Sequence, residues 1–308
     1  MFLTCLFAFF LLGILTKSSL SVAYASQGIQ LWLNSMLPAL LPFMILSGIM
    51  IRTNMAQKLA KFFSPLLGPL LRCSDSACFT VVIGFLCGFP LGAKTVSDLY
   101  DRGHLEFKEA RWLLAFCNNI GPAFFMGFVL PLLHAAHPLY CVAGFYGIPF
   151  LYGLLLRFVP RYHNSRIERR SFITKAPEAV SDTSGLVNAL QDAVSGSMLT
   201  MLNLGGYMIL FNLLNLLPHW IMGSPVPLLG PLFEITSGLR SLNGTHPLYC
   251  MTALTFGGLS CLAQTLSCLK APELKQCMGE YLLHKCILSL LVLLYFICIS
   301  TILPPFWG

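Results

Sequence analysis

GFLCGFPLGAKT, residues 84–95, puts Gly84, Gly88, Gly92 and Pro90 ahead of Lys94 in a chain otherwise apolar enough for lipid. Glycine and proline do not sustain a regular helix here, so the backbone must break or approach something closely. In hydrocarbon, a broken backbone is tolerated only where protein or a water-filled cavity satisfies the freed N–H and C=O groups. A broken segment that ends in a cation is therefore a candidate wall of a solute site. The competing reading is a glycine seam for close helix packing.

Composition sets the class. The chain has 308 residues, 56% hydrophobic and 10% charged, with a mean hydropathy of +0.75. Soluble domains carry about 25% charged residues, so an integral membrane protein is expected, with no separate soluble domain. Twelve cysteines lie scattered through apolar runs without a CxxC pair; they read as small apolar fillers. The net charge of +7 matters through its placement, because basic loops stay cytoplasmic.

Working outward, residues 1–30 form an N-terminal helix and loop. The run 2–16 ends at Lys17, and Ala23-Tyr24-Ala25 resembles a cleavage site, but no basic segment opens the chain, which favours an uncleaved first helix. A span at about 31–51 is closed by Arg52, Lys58 and Lys61; the apolar pieces 62–71 and 77–93 are each short for a crossing. The mixed-charge linker 94–111 reads as an amphipathic surface helix. Spans at 112–133 and 138–158 follow. Arg157, Arg161, Arg166, Arg169, Arg170 and Lys175 then form a basic cytoplasmic loop, loosened by Pro177 to Ser184. Beyond it come a span at 196–218, broken by Asn203, Gly205 and Gly206, short pieces at 226–239 and 248–268, and a last span at 281–303.

The hexapeptide PLLGPL occurs at 65–70 and again at 227–232, and SML at 35–37 and 197–199, both 162 residues apart. After eight inserted residues, Gly88, Ala93, Thr95 and Ser97 meet Gly258, Ala263, Thr265 and Ser267, with Lys94 opposite Gln264. With 157–175 inside, the positive-inside rule keeps Arg52, Lys58 and Lys61 inside only if 62–93 turns back as a hairpin. The expected fold is an all-α polytopic membrane protein with an inverted-topology repeat and two re-entrant helical hairpins. A first repeat covers 31–133 with hairpin 62–93; 134–185 connects; a second, inverted repeat covers 186–308 with hairpin 226–268. Its last span runs from outside to inside. Such repeats mark secondary transporters, with the solute site at the repeat interface; a duplicated bundle without transport is the alternative.

Candidate site residues follow from that frame. Lys94 ends the first hairpin and either marks a pathway or snorkels. Asn118 and Asn119 precede the helix-breaking Gly121-Pro122 and offer amides to a polar solute, or bond between helices. Glu234 is the strongest acid, either able to couple a proton or sodium ion to solute movement or a structural carboxylate paired with Arg240. Gly257, Gly258, Ser260, Gln264 and Thr265 are the second hairpin's counterpart. His284 and Lys285 are less specific and are expected near the outer end of the last span. No GxSxG, HExxH or GxxxxGK[ST] motif occurs, so no enzyme is expected, and neither cofactor nor metal.

GFPLGAKT, FCNNIGPAFF and PLFEITSGL, spread over about residues 30–300, together resemble the sporulation integral membrane proteins of spore-forming Firmicutes, which carry the nucleoside-recognition or Gate domain. The resemblance implies a place in the outer forespore membrane, movement of dipicolinic acid, a role in cortex formation, and kinship with concentrative nucleoside transporters. By position, Gly88, Pro90, Gly92, Lys94 and Thr95, Asn118 and Asn119, Glu234, Thr236 and Ser237, with Gly258, Ser260 and Gln264, would surround the solute. Dipicolinate is a dianion, so a lysine, amide donors and helix N-termini suit it. Alternatives are a nucleoside or ion-coupled carrier and a structural protein of the forespore membrane. The expected partners are that small anion and the bilayer, with a homo-oligomer or a sporulation complex as a further one, and no nucleic acid.

Overall fold

The computed structural model describes residues 2–53, 55–162 and 183–307; most of the basic loop, with Arg166, Arg169, Arg170, Lys175 and Pro177, lies outside them. Among the described residues the regular structure is helical, apart from one bridge between Ala135 and Trp307. The first half holds α1 (Phe2–Thr16), α2 (Ser18–Leu31), α3 (Leu37–Arg52), α4 (Met55–Leu71), α5 (Asp75–Cys87), α6 (Leu91–Asp101), α7 (Phe107–Phe116), α8 (Pro122–Phe124), α9 (Leu130–Leu133) and α10 (Pro138–Leu156). The second holds α11 (Thr183–Leu213), α12 (Leu216–Met222), α13 (Gly230–Phe233), α14 (Ile235–Leu242), α15 (Pro247–Phe256), α16 (Gly258–Cys268), α17 (Pro272–Gln276) and α18 (Met278–Ile302). Wider π turns at Trp32–Met36 and Phe125–Val129 join α2 to α3 and α8 to α9. Helical stretches at 18–52, 138–156, 185–222 and 278–302 are long and apolar enough to cross a bilayer. The protein is an all-helical polytopic membrane protein.

Contacts between distant residues fix the direction of each element. Helix α11 runs antiparallel to α2 and α3. Gly28 abuts the backbone of Ile209, Trp32 Nε1 donates to Met201 O at 2.8 Å, and Gly48 meets Ala193. Arg52, Arg72, Arg111 and Arg157 belong to one end of the molecule, here the basic end. His134, Gly244 and Trp307 mark the opposite end, where Gly244 would meet Leu132 O and Ala136 N donates to Phe306 O at 3.2 Å.

Helices α4 and α5 meet at 98°, and the bend leaves main-chain groups that need partners. Arg157 supplies them. Its guanidinium donates to Leu71 O (2.9 Å), Arg72 O and Tyr162 O (2.6 Å), lies 4.3 Å over the Trp112 ring and pairs with Glu109 at 3.6 Å. Glu109 accepts from Ser74 N and Ser74 Oγ, each at 2.9 Å, while Ser74 Oγ caps α5 through Ala77 N. A residue expected as a loop charge is thus 4% exposed and holds the bend.

The chain then reverses at Phe89–Pro90. Gly84 and Gly92 both face the Cys117 carbonyl, and Gly88 between them faces Gly121. Helices α5 and α6 therefore lie side by side, and the pair that turns at Phe89–Pro90 runs from Asp75 to Asp101, overlapping the expected segment 62–93 only over 75–93. Accordingly α6 is no surface helix: Thr95, Val96, Ser97 and Leu99 are buried. In the second half the reversal falls at Glu234, since Gly238 packs on Pro231 and Gly230. From the opposite end α15 returns to Gly257, and α16 continues to Lys270, whose N–H donates to Ser97 Oγ at 3.0 Å beside α6. The segment 226–268 is thus a reversal followed by a broken passage, not one hairpin.

Two further expectations change. Helix α11 is continuous through Asn203, Gly205 and Gly206; Gly205 is small because Trp32 lies against it. Helix α18 starts at the basic end, where Glu280 pairs with Arg111 and Arg161, and finishes beside His137 through Phe306. Its direction is the reverse of that expected.

Candidate functional site

Between α7 and α8 the chain is unwound over Cys117–Gly121, as Gly121-Pro122 leads one to expect. Its carbonyls are accounted for almost one by one. Phe116 O accepts from Asn119 Nδ2 (2.6 Å), Asn118 O from Lys285 Nζ (2.5 Å), Asn119 O from Phe89 N (2.5 Å) and Ile120 O from the Tyr146 hydroxyl (2.9 Å). Asn118 itself knits the halves: its Oδ1 accepts from Ala93 N at 3.3 Å, and its Nδ2 donates to Thr265 Oγ1 and Tyr281 Oη, each at 2.9 Å. Lys285 Nζ also donates to Asn119 Oδ1 at 3.2 Å and is 4% exposed.

In the second half, Glu234 sits at the reversal and is 2% exposed. Its carboxylate accepts from Thr236 N (3.2 Å) and Ser237 N (2.7 Å), capping α14. The cap, not Arg240, is its structural partner. Ser237 Oγ turns back to Glu234 O at 3.4 Å. Ser260 Oγ accepts from Gln264 Nε2 at 2.8 Å, while Gln264 Oε1 is buried without a partner.

These pieces surround a small central cavity of about 30 Å³, lined by Phe89, Gly121, Phe124, Glu234, Thr236 and Gln264 among others. One water needs roughly 10–15 Å³ of such space, so it holds a water or two and no organic solute in this state. Of the expected site residues, Glu234, Thr236 and Gln264 meet there, with Asn118 and Asn119 in the break just behind. Gly88, Gly92 and Gly258 serve close backbone packing, and Pro90 precedes α6. Lys94 and Thr95 are elsewhere. They line a second cavity of about 210 Å³ with Arg52, Asp98, Arg102 and Lys270, where Lys94 stands 3.7 Å from Asp98 and is 31% exposed.

Sequence reasoning named Lys285 but ranked it low and placed it near the outer end of its span, whereas it sits buried beside the α7 break. Its signal was an ionisable residue inside an apolar 25-residue helix, which by itself marks function in a membrane protein. The residue just before it, His284, bonds the Tyr152 hydroxyl through Nδ1 (2.6 Å) and the Tyr162 hydroxyl through Nε2 (2.8 Å). Tyr162 also bonds Glu280; burial, then that hydrogen bond, pushes its phenol pKa upward, so it stays a donor. Glu280 joins Arg111 and Arg161, closing this end.

A family model described as Gate, nucleoside recognition, matches residues 33–136, a stretch running from the π turn before α3 to the turn after α9. The sporulation integral membrane protein YlbJ of Bacillus subtilis is 25% identical over 307 aligned residues, which cover 87% of this chain and 75% of that protein. No solved structure matches. The chain is thus similar to the Gate nucleoside-recognition family over residues 33–136 and, over most of its length, to a sporulation integral membrane protein.

Proposed function

We propose that the protein is a transporter of a small organic anion, dipicolinate, across the outer forespore membrane, built as an inverted repeat with two re-entrant hairpins. In this reading the hairpins are α5–α6 and α13–α14, each followed by a broken passage, α7–α9 and α15–α16. The first hairpin comes from the basic end and the second from the opposite end, which supports opposite topologies for the two units. The pairing of Gly88 with Gly258 gives way to one between the two reversals, Phe89–Pro90 with Glu234, and between the two breaks, Gly121 with Gly257. No chemical conversion is assigned.

The observation that carries the reading is the central cavity, where both reversals and the α7 break converge. Transporter sites lie at such repeat interfaces, and a cavity too small for its cargo suits a carrier between openings. Lys285, bonded to Asn118 and Asn119 in the α7 break, takes the place given to Lys94 in this reading. A nucleoside is the second reading, favoured by the Gate match and by a lining that joins Phe89 and Phe124 to Glu234 and Gln264.

The test is thermal unfolding of purified protein with dipicolinate, isophthalate or uridine. A specific ligand at 100 times its Kd adds about 2.7 kcal/mol to stability. Dipicolinate alone should raise Tm; a uridine-only shift selects the nucleoside, and no shift with any of them leaves a structural protein.

A further inference from the structure

The unwound end of a helix inside a membrane is a cation site by construction. The last carbonyls of a helix lack intrahelical partners and carry the negative end of its dipole. In transporters such unwound carbonyls and half-helix C-terminal ends coordinate the driving ion. Helix α7 ends at Phe116 in this way, and the carbonyl and side chain beyond it point at one group. Asn118 O and Asn119 Oδ1 both receive the Lys285 ammonium, at 2.5 and 3.2 Å.

Among the described residues Lys285 has no carboxylate for a partner. The ammonium also lies by the Tyr281 ring, 5.7 Å from Nζ, and near the Cys261 thiol. An ammonium has three donors and no acceptor, so oxygen dipoles and a π face do here what a carboxylate does elsewhere. Tyr281 in turn accepts from Asn118 Nδ2, so one residue on α18 positions the asparagine and another, one turn further along the helix, fills its carbonyl. Nothing in this arrangement is a chance surface lysine: Lys285, Asn118 and Asn119 are all at least nine-tenths buried.

We propose that the Lys285 ammonium is the resident cation of the α7 break, a charge tethered to α18 in place of a bound metal ion, so that the central site works without sodium or another alkali metal. The inference deepens the proposed transport function and rests on it for its meaning, but its test uses no organic solute.

Tm is measured in LiCl, NaCl, KCl and choline chloride at equal ionic strength. Wild-type protein should unfold at one temperature in all four; a saturable rise in any alkali chloride over choline overturns the proposal. Lys285→Ala opens an oxygen-lined hole, and should gain several degrees on adding sodium or propylammonium, saturably and without a choline effect. A Lys285→Ala protein indifferent to both also overturns it. Where Lys285→Ala does not accumulate, Lys285→Ser takes its place, since its short side chain also vacates the Asn118 and Asn119 oxygens and carries no charge. Sodium stabilisation of that variant supports the proposal, and indifference equal to wild type overturns it. Failure of the carrier reading would instead appear in the dipicolinate and uridine measurements.

Discussion

Gly88 has φ +74°, and a Cβ there would run into the backbone of Gly121. Both the conformation and the space demand glycine. Gly88→Ala should therefore cost about 3 kcal/mol or more, read as a fall in Tm in detergent. Gly127→Ala and Gly147→Ala, where a Cβ meets nothing within 4 Å, should stay within about 0.5 kcal/mol of wild type. Gln264 behaves differently, because it lines the central cavity and its Oε1 is buried with no partner. Gln264→Leu removes an unsatisfied acceptor, so stability should hold or rise while solute-induced stabilisation disappears. Lys94 stands apart in the second cavity, beside Arg52. Lys94→Ala should change stability by less than about 0.5 kcal/mol and leave the dipicolinate-dependent Tm shift intact.

At the scale of elements, the bend between α4 and α5 depends on one guanidinium. Arg157→Met leaves Leu71 O and Arg72 O without their donor and Glu109 without its charge partner. A loss of about 3–5 kcal/mol is expected. Arg157→Lys should recover little of it, since an ammonium cannot reach three carbonyls in a planar fork; thermal unfolding of both variants checks this. The sequence made the breaks legible, because Gly88, Pro90, Gly121, Pro122 and Gly257 act locally on the backbone. It also made the helical membrane class legible, through composition. What fills each break was not legible. Arg157 meets Leu71 from 86 residues away and Lys285 meets Asn118 from 167 residues away, and no local pattern encodes such pairs. The repeated PLLGPL drew the second reversal too far along, since Glu234 turns the chain with a side-chain cap and no glycine at its tip.

For the whole molecule, the direction of α18 decides which groups share a side. Cys277, partly exposed just before α18, should react with a membrane-impermeant thiol reagent only from the side bearing the 157–175 loop. Right-side-out and inverted vesicles, with Cys277→Ser as the control, test this; labelling from the other side would restore the opposite direction. A last consequence is mechanical. At Gly84, Gly88 and Gly92 the first reversal rests main chain against Cys117 and Gly121, and Asn118 Oδ1 ties the same two segments through Ala93 N. A joint of that kind neither slides nor pivots, so these two segments should travel together as a single strut. Any widening of the molecule's centre must then come from the far wall, where Asn118 reaches Thr265 and Tyr281 through side chains that can let go.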